Sequence, residues 1–243
     1  MKAMTTWQGA WRLLRFEGAR SWVGLLITML FFSYVSVVMM PLFNELLEKG
    51  GSSGYGWVCD FMYLSILPTM GFLMNRSVMH YWSSDPYTRK LAYLRTLPIG
   101  WNAIILARML QHFVVLSIVA LFFFTIQYAM LNELRGLLAP DEYILFALIW
   151  YGYALFAGAA YVYFEQTMEG GKYFAVCFAF LLIFALIGVL LWLLDTDLMF
   201  KTVEASRSHA LIWPAGSLLL GAAGLVLSGL LIRQRNVTRN LLH

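Results

Sequence analysis

Tyr173–Leu194, YFAVCFAFLLIFALIGVLLWLL, decides the class of this chain. Its 22 residues carry no charge, and at 1.5 Å per residue a helix of that length crosses the roughly 30 Å of a bilayer's hydrocarbon. Five further apolar runs of comparable reach flank it, near 22–44, 57–80, 102–130, 143–165 and 211–232. Composition agrees: 61% of the 243 residues are apolar, 12% are charged, and the mean hydropathy is +0.71. Nine tryptophans within 16% aromatics suit interfacial belts. The expectation is an all-α polytopic membrane protein with six transmembrane helices, forming a single membrane domain over 1–243. The first run is too long for a signal peptide and has no small-residue cleavage site after it, so it is expected to stay in the mature chain.

Charge placement predicts orientation, because cationic loops stay cytoplasmic. Of the 17 Lys and Arg, Lys2, Arg12, Arg15, Arg20, Arg76, Arg89, Lys90, Arg95, Arg108, Lys172, Arg233, Arg235 and Arg239 fall at one set of span ends. Only Lys49, Arg135, Lys201 and Arg207 fall at the other. Both termini are therefore expected in the cytoplasm. The net charge of +4 reads as a topology signal and gives no support to a nucleic-acid partner. Cys59 and Cys177 lie at opposite ends on this topology, too far apart for a disulfide, and no metal-ligand spacing occurs.

Before the first span, residues 5–20 read as an amphipathic helix. Trp7, Trp11 and Leu14 share a face, and Arg12 and Arg15 lie on others, which suits the inner membrane interface; a plain basic flank is the alternative. Pro140 with Asp141 and Glu142 marks a helix start. Leu198, Met199, Phe200 and Val203 suit a short helix on the outer surface. Small residues cluster in the fourth run (Gly152 to Ala160) and the sixth (Gly216 to Gly224), so these two helices are expected to pack closely.

Between the second and third runs lies DPYTRKLAYLRTLPIG, Asp85–Gly100. Pro86 suits a first helical turn, and Leu97-Pro98 ends the segment, predicting a short helix over 85–98. Tyr87, Leu91 and Leu94 recur at i, i+4 and i+7, with Arg89, Lys90 and Arg95 around them. Such a helix can dock in a partner's groove or lie on lipid, or be no more than a basic loop.

The stretch RKLAYLRTLPIGWNAIILARML resembles the first intracellular loop of type-2 ABC exporter permeases, mainly through Leu94, Arg95, Thr96, Leu97, Pro98 and Ile99. The N-terminal segment is similar to that family's connecting helix, and YFEQTMEGGKYF (Tyr163–Phe174) to its second cytoplasmic loop. The resemblance implies a permease subunit in the bacterial plasma membrane, working by alternating access beside a second permease copy or homologue. ATP and Mg would be held by separate ABC ATPase subunits, with no cofactor on this chain. It implies a coupling helix in which Tyr87, Arg89, Lys90, Leu91, Leu94 and Arg95 meet the ATPase and Pro98 restricts the hinge.

No GxxxxGK[ST], HExxH or GxSxG occurs, so an enzyme is not expected. His80 and His112 could face each other, but without a carboxylate pair they make a poor metal site. Asp60, Arg76 and Arg108 are the charges nearest to span interiors; Arg108 is expected to reach the inner interface and Asp60 to sit at an outer mouth. Ser33, Tyr34, Ser36, Ser65, Thr69, Ser117, Thr125 and Gln127 suit either helix-to-helix bonds or a path for amphiphilic cargo such as a peptide, antibiotic or lipid. The alternative function is a non-transporting sensor or immunity module that binds a membrane-active peptide.

Overall fold

The computed structural model describes residues 5–48, 56–74, 86–96 and 99–238, with all their side chains except those of 86–88, 95 and 236–238. The described residues contain helices and no strand. In chain order these are α1 (Thr6–Arg20), α2 (Trp22–Glu48), α3 (Gly56–Ile66), a 3-10 turn (Leu67–Gly71), α4 (Pro86–Thr96), α5 (Trp101–Met130), α6 (Asn132–Leu137), α7 (Pro140–Thr167), α8 (Gly170–Leu193), α9 (Leu198–Arg207) and α10 (Ile212–Thr238). Five of them, α2, α5, α7, α8 and α10, are long and apolar enough to cross a membrane. The protein is a membrane-embedded helical bundle.

Local chemistry sets the helix ends. Thr5 caps α1 reciprocally: its hydroxyl accepts from the Gln8 amide, while the Gln8 side chain accepts from the Thr5 amide. Pro140 opens α7, and Glu142 reaches back to accept from the Ala139 amide at 2.8 Å. Near the start of α7, α9 is more deeply set than a surface helix, with Met199 and Val203 inside the main core. Its N-terminus is held from α3, where the two Asp60 carboxylate oxygens accept from the Leu198 and Met199 amides at 2.9 and 2.8 Å.

The most extensive helix contact joins α7 and α10. A Cβ added to Gly152 would stand 2.4 Å from the Ser217 backbone, and one at Gly221 would stand 2.7 Å from the Gly152 carbonyl oxygen. The expected small-residue contact is therefore a backbone-to-backbone approach, the geometry that favours helix association where apolar burial gains little.

The run expected as a continuous second span is broken. Pro68 has no amide proton for the Leu64 carbonyl, and the chain tightens there into the 3-10 turn, leaves it extended at Phe72 and continues irregularly to Met74. Side chains from three helices take up freed backbone groups. The Tyr153 hydroxyl donates to Leu64 O at 2.7 Å, His112 Nδ1 lies 3.3 Å from Gly71 O, and Thr28 Oγ1 accepts from the Met74 amide at 2.9 Å. Irregular backbone survives at membrane depth only with such partners. The turn also needs space: a Cβ on Gly71 or Gly158 would overlap the His112 ring. Because Thr28 lies near the start of α2, the broken segment runs back toward the end of the bundle where α1 and α4 sit.

Candidate functional site

At that end, α4 is built into the bundle. Leu91 is 5% exposed and packs with Ala10 and Leu13 of α1 and Ala103, Ile104 and Ala107 of α5; Leu94 is partly buried beside them. Gly9 lets α1 lie close on α5, since its Cβ position is 3.1 Å from the Ala103 Cβ. Lys90 Nζ meets Glu17 Oε1 at 2.8 Å, tying α4 to α1. The Leu91 and Leu94 stripe is thus occupied within the chain, and α4 turns Arg89, Tyr93 (66% exposed) and Thr96 outward. The side chains of Tyr87 and Arg95, and residue Pro98, lie outside the described residues.

One layer deeper, Arg108 of α5 is bonded to Glu165 of α7. The carboxylate is 3% exposed and the guanidinium 14%. Arg108 Nη1 also donates to Gln111 Oε1 at 3.2 Å, and its charge stands 5.3 Å from the Phe72 ring centroid. Arg108 lies beside α1 and α4 at this end of the bundle, and a partner on α7 holds it there, because a buried guanidinium is stable only when paired. The expectation that Asp60 sits at an outer mouth is corrected. Asp60 is fully buried, and both its oxygens are taken by the α9 amides, so it does not face an outer mouth.

A cleft of about 530 Å³ opens between α8 and the broken segment. Thr69, Phe72 and Met74 line one wall, and Phe174, Phe178 and Leu181 of α8 line the other. Lys90, Arg108, Gln111 and Glu165 stand at its polar end. The volume lies within the range of small-molecule sites. Of the polar residues expected along a cargo path, only Ser65 and Thr69 reach this cleft. Ser33, Ser36, Ser117 and Thr125 donate to carbonyls one turn back in their own helices, and Gln127 bonds the Tyr63 hydroxyl at 2.5 Å.

In α1, Trp7 and Trp11 stack at 6.4 Å between ring centroids and are exposed, as are Arg12 and Arg15. Leu14 is half-buried at the seam with α4. Both cysteines are free. Among the described residues no group of three His, Cys, Asp or Glu side chains converges as a metal site, and His80 lies outside them. Glu165, Glu17 and Tyr153 were not expected to matter. For Glu165 a signal existed, since the end of α7 and the start of α5 share one end of the bundle and each carries a single charged side chain close to that end.

No family model, curated protein or solved structure matches this chain.

Proposed function

We propose that this chain is the permease subunit of an ATP-driven exporter of amphiphilic molecules, seated in the bacterial plasma membrane with both termini in the cytoplasm. On this reading the broken segment is a sixth crossing and α1 lies in the inner interface, with Trp7 and Trp11 in the acyl boundary. The observation that carries the reading is the cleft itself: an apolar channel with a charged end, beside an interrupted helix. Interrupted membrane helices free backbone groups and flexible joints where transport sites form.

The connection of α4 to that cleft supports a coupling role. Lys90 belongs at once to α4, to the clamp on Glu17 and to the polar end of the cleft. A push on the outward face of α4 would pass through Leu91 into α5 and through Lys90 into α1. The docking surface for ABC ATPase subunits is then Arg89, Tyr93 and Thr96, while Leu91 and Leu94 transmit. A second permease copy would complete the transporter.

The test is co-purification of the chain with a P-loop ATPase from its own host. Arg89→Glu with Tyr93→Ala should release the ATPase and abolish amphiphile-stimulated ATP hydrolysis while the permease remains inserted and folded. Persistence of the complex and its turnover would remove α4 as the docking element, and absence of any P-loop ATPase would favour the non-transporting sensor module.

A further inference from the structure

Deepening the transport reading, on which this step rests, we infer that the cleft binds a single-chain amphiphile with a compact anionic head. The head lies against Lys90 and Arg108, and the acyl chain runs along Phe178 and Leu181. Size and shape point to one chain: about 530 Å³ suits a ligand of drug-like size. The walls are mainly apolar along α8, with Ser65 and Thr69 facing it, and carry charge only at the α4 end, so a ligand that fits must itself be divided into tail and head.

The charge of the head follows from which groups are reachable. Two carboxylates stand at this end: Glu165, which lines the cleft, is 3% exposed and occupied by Arg108, and Glu17, which pairs with Lys90, is outside the cleft lining. Lys90 lines the cleft while paired with Glu17 at 2.8 Å, and its side chain stays 49% exposed. The charged groups that line the cleft are thus two cations against one carboxylate, a net positive end for a head to meet. A carboxylate or a phosphate satisfies the same contacts, and a cationic head would be repelled.

The direct measurement titrates a fluorescent polyene fatty acid onto the full chain in nanodiscs of zwitterionic lipid, with no ATPase present. Saturable binding of one probe per chain is expected. Lys90→Gln should weaken it about fivefold, the scale of a partly exposed ion pair. Glu17→Gln breaks the same ion pair but removes the opposite charge, and should leave binding equal or tighter. Leu181→Trp from one wall and Thr69→Trp from the other should each abolish binding by filling the cleft. Lysophosphatidic acid should displace the probe as a fatty acid does, and an alkylamine of equal length should not. Displacement by only one of the two anions would identify the head as carboxylate or phosphate, within the proposal.

Several results would overturn the inference. Unsaturable uptake, or uptake unchanged by both tryptophans, means partition into bulk lipid. Equal losses in Lys90→Gln and Glu17→Gln mean that the lysine acts only as a strut, and displacement by the amine means that the head charge is not read. None of these results touches the docking of an ATPase on α4, so the two proposals fail separately.

Discussion

Single residues hold the far end of the bundle in place. Asp60 is the acceptor for two amides of α9, and loss of its carboxylate leaves the buried Met199 amide and the part-buried Leu198 amide without that partner. Asp60→Ala should lower stability by roughly 2–3 kcal/mol, read as the thermal unfolding midpoint in detergent, and Asp60→Asn by less because one oxygen remains. Gly152→Ala forces a Cβ to within 2.4 Å of the Ser217 backbone; overpacking of this kind should cost about 1–3 kcal/mol in the same assay. His209 Nε2 lies 3.1 Å from Asp141 Oδ2, and that bond raises the imidazole above its ordinary value of 6.5. A raised folded value means that the pair adds stability below pH 6.5 and that the gain fades as pH rises through the folded value. Asp141→Asn should return the His209 titration, followed by NMR, toward 6.5 and remove that alkaline loss.

Among the elements, the broken segment departs most from its sequence. Its run of apolar residues reads as one span, and Pro68 alone does not announce a break, because proline occurs inside α2 as well, at Pro41. What distinguishes the two sites is tertiary: Tyr153, His112 and Thr28 converge on the freed backbone near Pro68. Removing one partner should expose this. Tyr153→Phe strands Leu64 O and should cost about 1 kcal/mol or more, whereas adding Pro68→Ala supplies an amide proton and should recover part of the loss. A non-additive double-mutant cycle in thermal unfolding is the expected signature. For α4 the sequence periodicity located the apolar stripe, with Leu91 and Leu94 on it, but periodicity cannot say which neighbour the stripe meets. The answer lies in Gly9, Ala10 and Leu13, far away in sequence, which open a seat beside α5.

At the scale of the whole molecule, the membrane class was legible because uncharged runs of span length have few other uses, and the α7 to α10 contact because small residues clustered in both helices. The cleft was not legible. Its walls come from α3, α5, α7 and α8, and its charged end depends on Arg108 finding Glu165 across 57 positions. Serines and threonines inside spans suited either helix bonds or a cargo path, and the sequence could not choose, because each can bond its own helix one turn back whether or not it lines a cleft, as Ser65 and Thr69 do. The architecture that results places an exposed helix face, an internal clamp and an amphiphilic cleft in one continuous column, the arrangement that the coupling proposal requires. The most direct test installs a photo-crosslinking amino acid at position 93 in living cells of the host. The account predicts a covalent adduct with a P-loop ATPase that disappears when Arg89→Glu is added. Adducts with lipid alone, or an ATPase adduct indifferent to Arg89, would contradict it.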